Sequence, residues 1–234
     1  MSSITWTPRE VESEASKQRL QLWRAVEAQH IASTTRLVDS LAEQQVLENI
    51  LEQTKPALPH ATAGLHYLLA TPFRYPPWGR GSRFRSPTDP GVFYGAEERR
   101  TACAELGYWR WRFVMDSSGL DSLGPAPHTL FQVKVGAKAV DLRKSPFLRQ
   151  AAVWTHLTDY TGTQTFARVA RTAGVDLIRY QSVRDPAKGG CAALLQPAGF
   201  SDARPLTEQT WFLTVSRTTS AWQRDSEIFE FRWQ

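Results

Sequence analysis

The first sixty residues carry apolar positions at helical spacing. Thr7, Pro8 and Glu10 form the pattern of a helix start, in which Thr7 is the N-cap residue and Glu10 closes a capping box. The apolar residues that follow recur at intervals of seven and four positions, at Ala15, Leu22 and Val26. Because these intervals bring side chains to one face of an α-helix, they predict a helix from Thr7 to about residue 30.

A second apolar run at helical spacing follows and ends before Pro56 and Pro59, which do not fit inside a helix. It consists of Leu37, Leu41, Leu47 and Leu51. The two runs predict an antiparallel helix pair. The sequence is therefore divided into an N-terminal helical extension over residues 1–60 and a catalytic domain over residues 61–234.

The middle of the chain combines a short strand with a longer helix. Residues 91–94 predict a strand, and a helix is predicted from about Glu97. Its apolar stripe follows the helical period and comprises Ala102, Leu106, Trp109 and Phe113. Glu105 lies on the flank of this stripe, where a side chain can form the wall of a pocket. Pairing of Glu105 with Arg110 or Arg112 on the helix surface is the alternative.

The remaining chain alternates strands and helices. After a loop at 116–127, two strands joined by a turn at Gly136 are predicted at 129–135 and 138–142. Helices are predicted from Ser145 and over 163–173, the second ended by Gly174. Later strands are predicted at 175–182, 191–195, 210–215 and 227–233. Because these elements follow no strict strand–helix–strand rhythm, the fold class is α+β.

Positive charge is concentrated in one part of the sequence. Residues 74–112 contain eight Arg, no Lys and four acidic residues, which accounts for +4 of the chain's formal net charge of +5. Arg grips phosphate through two parallel hydrogen bonds, whereas Lys offers a point charge. The spacing indicates an anion site, and a solvated surface loop is the competing interpretation.

Composition excludes several classes of protein. No segment approaches the roughly 18 apolar residues of a membrane span, and residues 1–10 hold no apolar core of a secretory signal. We therefore expect a soluble cytoplasmic protein. Cys103 and Cys191 lie 88 positions apart, so neither a disulfide framework nor a metal-ligand spacing is indicated. The five His residues are scattered, and no metal site is predicted.

The familiar nucleotide-binding motifs are absent from the sequence, including G-x-G-x-x-G and the Walker loop. Cationic, aromatic, acidic and hydroxyl side chains remain as candidates, namely Arg74, Arg83, Tyr94, Glu105 and Ser182. Such a set suits cleavage of an N-glycosidic bond in a dinucleotide. Cations would hold the diphosphate, and a carboxylate would stabilise the positive charge that develops on the ribose.

Five short segments in this order resemble the RES domain family. They are Phe73-Arg74-Tyr75, Gly81-Ser82-Arg83-Phe84, Val92-Phe93-Tyr94-Gly95-Ala96, Ala102-Cys103-Ala104-Glu105 and Tyr180-Gln181-Ser182-Val183-Arg184. Glu105 follows Tyr94 by eleven positions, which is similar to the family's usual interval. The resemblance covers about residues 64–200. The family is named for its Arg, Glu and Ser and comprises toxins of bacterial Xre–RES toxin–antitoxin pairs.

The resemblance implies an ADP-ribosyltransferase-like core and destruction of NAD by hydrolysis or phosphorolysis. NAD would then be the substrate, inorganic phosphate a potential co-substrate, and no bound cofactor is implied. Catalytic roles fall on Glu105, Tyr94, Arg83 and Ser182. Contacts with NAD fall on Arg74, Tyr75, Arg83, Arg85, Tyr94 and Ser182. Where the family commonly has Gly-Arg-Trp-Asn, this chain has Ser82-Arg83-Phe84-Arg85, so Arg80, Arg83 and Arg85 all remain candidates for gripping the diphosphate.

The resemblance also implies a protein partner, an Xre-type helix-turn-helix antitoxin that covers the NAD pocket. Neither a membrane nor direct nucleic-acid binding is expected, and the possibility of a homo-oligomer stays open. Two other functions compete with NAD degradation. One is mono-ADP-ribosylation of a protein, and the other is a non-enzymatic module that binds nucleic acid through its Arg-rich loop.

Overall fold

The computed structural model describes residues 5–28, 40–75 and 81–233. Its strands are β1 Ser16–Glu27, β2 Phe93–Ala96, β3 Ser122–Asp141, β4 Leu177–Gln181, β5 Gly190–Leu194, β6 Thr207–Ser216, β7 Ser220–Arg224 and β8 Glu227–Phe231. Its α-helices are α1 Pro8–Ser13, α2 Leu41–Thr54, α3 Tyr67–Arg74, α4 Arg99–Asp116, α5 Ala151–Trp154 and α6 Thr161–Thr172. Short 3₁₀ helices lie at His60–Thr62, Phe147–Gln150 and Pro197–Gly199.

All eight strands form one mostly antiparallel sheet in the order β1-β2-β5-β4-β3-β6-β7-β8. Strand β1 also pairs with β3, so β1, β2, β5, β4 and β3 close into a ring of paired strands. The only parallel pairing among the described residues joins β3 to β4. The predicted α+β class is confirmed, with helices flanking a central sheet.

The N-terminal helix prediction is correct at its start and wrong beyond Ser13. Thr7 and Glu10 form the predicted capping box, but residues 16–27 form β1, whose twelve residues all pair with β3. The segment also alternates between apolar and polar residues, as a strand does, at Leu20, polar Gln21 and buried Leu22. It therefore carried a strand pattern as well as the helical spacing. Residues 16–27 thus belong to the central sheet and not to a helical extension over 1–60.

The second predicted N-terminal helix is present as α2, although the helix pair is not. Leu37 lies outside the described residues. Leu51 is 40% exposed and Val46 is 57% exposed, so this face of α2 is not buried against a helix partner. The partner expected from the sequence is the segment that instead forms β1.

Strand β3 is one continuous element of twenty residues, so the predicted turn at Gly136 is wrong. Gly136 lies within the strand opposite Arg19, and the strand begins at Ser122, inside the predicted loop. Every second residue is buried on both sides of Gly136, and the alternation continues without a shift through Val133, Val135, Ala137 and Ala139. A hairpin would have interrupted this phase, and that is the signal against a turn.

Helix α4 buries a different face from the one predicted. Trp109 and Phe113 are 50% and 53% exposed, whereas Ala104, Trp111 and Val114 are buried. Gly107 lies on the buried face, where a Cβ atom would stand 2.7 Å from the Ser220 hydroxyl of β7. The predicted stripe therefore does not face the core, and most of it lines a cavity.

The C-terminal half follows the sequence prediction closely. Helix α6 ends at Thr172, two positions before the predicted cap residue Gly174, which adopts a positive φ of 66°, and β4 ends directly before Ser182. The helix predicted from Ser145 is present as the 3₁₀ turn and α5, while β7 was not predicted. Among the described residues, no helix is long and apolar enough to cross a membrane.

Candidate active site

A cavity of about 380 Å³ lies between α4, the ends of β1 and β2, and loops around residues 82, 160 and 184. Its volume falls in the range of roughly 300–1,000 Å³ that is typical of small-molecule sites. Helix α4 contributes Ala102, Glu105, Leu106 and Trp109 to the wall. Three of these belong to the stripe that the sequence analysis assigned to the core.

Glu105 and Ser182 meet at this cavity. The Ser182 hydroxyl donates to Glu105 Oε1 at 2.5 Å. Ser182 Oγ in turn accepts the backbone N–H groups of Arg184 at 3.1 Å and Asp185 at 2.9 Å. Because a serine hydroxyl has a single proton, two incoming N–H groups leave that proton to point at the carboxylate. The loop after β4 thus fixes the orientation of Glu105.

The charge state of Glu105 is set by opposing effects. Burial raises the pKa of the carboxyl above its ordinary value. The hydrogen bond from Ser182 and the positive charges of Arg83 and Arg184 oppose this shift, while Asp185 adds to it. A carboxyl group in a cleft whose pKa is shifted by burial and by particular charged neighbours is characteristic of functional sites. Ser182, whose hydrogen bond lowers the pKa, also positions the group.

Tyr94 holds the loop that carries Arg83. The phenolic oxygen of Tyr94 lies 2.8 Å from the Ser82 hydroxyl and accepts the Phe84 backbone N–H at 2.9 Å. Burial raises the pKa of Tyr94, so the phenol stays neutral near pH 7. Because Tyr94 also lines the cavity, it connects the wall of the site to the loop at residues 82–84.

Arg83 lines the cavity but has protein partners as well. Its two terminal nitrogens donate to the carbonyl oxygens of Trp154 at 2.8 Å and His156 at 3.0 Å. Its guanidinium lies 4.8 Å from the centre of the Tyr160 ring. Arg83 is therefore a rigid cation at the edge of the cavity, anchored to the segment after α5.

Other arginines predicted to contact NAD lie outside the cavity lining. Arg74 donates from Nε to the Pro56 carbonyl at 2.5 Å and lies 5.9 Å from the centre of the Tyr75 ring. Arg85 donates to the Asp89 carbonyl at 3.2 Å. Arg80 falls outside the described residues. The structure brings Arg83, Tyr94, Glu105 and Ser182 together, and it leaves Arg74, Tyr75 and Arg85 apart from them.

Arg24 of β1 is a cation beside the site that the sequence analysis missed. Its Nη1 donates to the Tyr94 carbonyl at 2.9 Å, and Nε is buried without a partner among the described residues. Its guanidinium lies 5.0 Å from the centre of the Phe93 ring, on the face of the sheet that carries Leu22 and not on the face whose Tyr94 and Tyr180 line the cavity. Burial lowers the pKa of Arg24 to about 10, so the side chain remains charged at neutral pH. Arg24 lies on the same side of β1 as Leu20, Leu22 and Val26. A charged residue among these apolar positions could have marked it as unusual, but only if the segment had been predicted as a strand and not as a helix.

Arg184 is a cation of the cavity wall that the sequence analysis did not name as a site residue. Its neighbour Asp185 accepts a hydrogen bond from Thr101 at 2.8 Å. The Arg184 guanidinium lies 3.9 Å from the centre of the Tyr108 ring, and its Nη2 donates to the Leu157 carbonyl at 2.6 Å. Arg184 and Arg83 stand on either side of Tyr160, so cationic and aromatic groups alternate along this wall.

The site therefore offers a partly buried carboxylate, two arginines and several aromatic faces, which is a set suited to an anionic ligand that contains a ring. No group of three or more His, Cys, Asp or Glu side chains that could hold a metal ion occurs within residues 5–28, 40–75 and 81–233. The chemistry of the donor set is that of a phosphate and sugar site.

Comparisons with known proteins agree with the residues that carry the resemblance. The model of the RES domain matches residues 57–216. A chain in the crystal structure of the M. tuberculosis MbcT-MbcA toxin–antitoxin complex superposes with a TM-score of 0.51 and 11% sequence identity. The match covers 87% of this chain and 90% of that chain. At this identity the likeness concerns the fold alone. No curated protein matches the sequence.

Proposed function

The chain belongs to the RES domain family, and from that premise we propose that it is an NAD-degrading toxin of a toxin–antitoxin pair. The reaction is cleavage of the bond between nicotinamide and ribose. The observation that carries the proposal is the position of Glu105, a single carboxylate oriented by Ser182 in a cavity bordered by Arg83 and Arg184.

The proposed chemistry needs little acid catalysis. When the N-glycosidic bond breaks, its electron pair leaves with nicotinamide, which departs as a neutral molecule, and positive charge remains on the ribose. An ionised Glu105 facing that ribose stabilises the charge, and a preorganised contact of this kind contributes about 3 kcal/mol to lowering the barrier. Ser182 acts by holding the carboxylate in place.

The remaining walls match the other parts of a dinucleotide. Arg83 and Arg184, both buried at the cavity wall, supply positive charge for the diphosphate. Trp109 and Tyr160 present aromatic faces to the cavity, on which planar rings can stack. Compared with the sequence-based proposal, Arg83 keeps its role in holding the diphosphate, and Arg184 takes the role that was assigned to Arg74 and Arg85.

The acceptor of the ribosyl group is water or inorganic phosphate. Water yields ADP-ribose and a proton, whereas phosphate yields ADP-ribose with the phosphate bonded to ribose C1. The test is to incubate the purified protein with NAD and to quantify nicotinamide and both products by chromatography, with and without phosphate. We expect nicotinamide release that falls at least a hundredfold in Glu105→Gln. Absence of release in both buffers would reject the proposal.

Charge pairing in the Arg-rich region argues against the nucleic-acid alternative. Arg99, Arg110 and Arg112 form ion pairs with Glu227, Glu27 and Asp116, and Arg83 is buried. Positive charge in residues 74–112 is thus partly neutralised within the protein. Protein mono-ADP-ribosylation would use the same cavity, and it would appear in the NAD assay as label retained on a protein acceptor.

An Xre-type helix-turn-helix antitoxin remains the proposed partner, as the family resemblance implies. The similarity of fold to a chain from a toxin–antitoxin complex supports a protein partner. Co-expression with a helix-turn-helix protein encoded beside this chain should suppress NAD loss in cells. Persistent NAD loss on co-expression would contradict that partner.

A further inference from the structure

Residues after the last strand touch the candidate site, although they lie beyond the matched family region of 57–216. Trp233 lies two positions after the end of β8, and its indole Nε1 donates to the Arg184 carbonyl at 2.7 Å. Arg184 lines the cavity two positions after Ser182. Residues outside the family match therefore contact the loop that carries a cavity cation.

The Trp233 ring also supports the surface on which the Arg184 side chain lies. Its centre is 5.6 Å from that of Tyr108 in a T-shaped contact and 5.8 Å from that of Trp111. The Arg184 guanidinium lies 3.9 Å from the centre of the same Tyr108 ring. Trp233 thus bonds to the backbone of Arg184 and also packs against Tyr108, the ring on which the Arg184 side chain lies.

The loop after β4 has three anchors along its length. Ser182 is bonded to Glu105, and Asp185 accepts a hydrogen bond from Thr101, so two anchors come from α4. The third anchor is Trp233, which comes from the β7–β8 hairpin. Of the three, it is the one that acts on the carbonyl of Arg184 itself.

We propose that Trp233 is a positioning residue that holds Arg184 at the cavity for binding of the diphosphate group. The inference rests on the proposed function, because it assigns Arg184 to that group. Glu105 carries the chemical step and has its own anchors, so loss of the Trp233 bond should weaken NAD binding and leave the turnover of bound NAD nearly unchanged.

The test replaces Trp233 by Phe, which keeps an aromatic ring and removes the N–H donor. Trp211→Phe is the matched control, since Trp211 Nε1 also donates a hydrogen bond, to Gln209 Oε1 at 3.0 Å, its ring stacks on Phe229 and Trp211 does not line the cavity. Loss of one hydrogen bond of this class should raise KM for NAD about two- to tenfold in Trp233→Phe. We expect kcat within twofold of wild type in Trp233→Phe and an unchanged KM in Trp211→Phe.

A second measurement keeps the positioning claim separate from the proposed function. Amide hydrogen exchange of Arg184 and Asp185, whose N–H groups bond to Ser182, should accelerate in Trp233→Phe and not in Trp211→Phe. An unchanged exchange rate would overturn the proposal, as would an equal rise in KM in both variants or a fall in kcat alone. If the wild type released no nicotinamide, the proposed function would fail and the assignment of Arg184 to diphosphate with it, while the exchange rates would still decide whether Trp233 holds the loop.

Discussion

Replacing Ser182 by Ala should move the pH dependence of NAD cleavage. The substitution removes the donor that bonds to Glu105 Oε1 at 2.5 Å. Hydrogen bonds to charged groups contribute about 1.5–3 kcal/mol. Since one pKa unit corresponds to about 1.4 kcal/mol, the loss should raise the pKa of Glu105 by about one to two units. This increase adds to the upward shift that burial already causes.

The sign of the effect on activity follows from the charge that the reaction requires. An ionised Glu105 stabilises the ribosyl cation, so activity falls as pH drops through the pKa of Glu105. A higher pKa in Ser182→Ala therefore shifts the acid limb of kcat/KM to higher pH by about one to two units. The assay is nicotinamide release at saturating phosphate across pH 4–9.

Stability provides a second readout of the same change. A carboxyl whose pKa is higher in the folded than in the unfolded state binds more protons when folded, so it lowers stability as pH rises. Ser182→Ala enlarges the difference between the folded and the unfolded pKa of Glu105. The Tm of the variant should therefore fall further below that of the wild type as pH rises from acid to neutral. The variant also leaves the buried N–H groups of Arg184 and Asp185 without their acceptor, which costs about 1–3 kcal/mol per group.

Ser220→Ala is the matched control for loss of a buried serine hydroxyl. Ser220 is fully buried, and its hydroxyl has no hydrogen-bond partner among the described residues. Its removal should leave the pH profile unchanged. An acid limb that stays in place in Ser182→Ala, or that moves to lower pH, would refute the assigned role of Ser182.

Three further predictions concern other parts of the molecule. Tyr94→Phe removes the acceptor of the Phe84 N–H and should raise KM severalfold in NAD titrations, because the loop that carries Arg83 loosens. Arg184→Gln should raise KM about tenfold or more with a smaller change in kcat, and an unaltered KM would remove Arg184 from the binding site. Gly91→Ala places a Cβ 2.4 Å from the Phe73 backbone and should lower the free energy of unfolding by about 1–3 kcal/mol in denaturant titrations.

The sequence correctly predicted those parts of the fold in which the spacing of apolar residues fits only one type of secondary structure. Helix α6 with its terminal Gly174 and the strand that ends before Ser182 are present where they were expected. The eleven-residue spacing from Tyr94 to Glu105 correctly marked a strand and a helix that face one cavity. These features depend on local chemistry, which a single sequence displays.

Features that depend on tertiary pairing were not predictable in the same way. The segment that forms β1 has both helical and strand periodicity, and its pairing with β3 decides between them. Trp109 matched an apolar stripe but borders the cavity, because hydrophobic spacing does not distinguish a core from a pocket wall. Arg24 and Trp233 lie far from the quoted motifs in the sequence and reach the site only through the sheet.

The most direct test of the central claim is a crystal structure of the Glu105→Gln variant with NAD. We predict that the dinucleotide occupies the cavity of about 380 Å³, with the nicotinamide ribose beside residue 105 and the diphosphate within hydrogen-bond distance of Arg83 or Arg184. NAD bound elsewhere, or a cavity that remains empty at saturating NAD, would contradict the account.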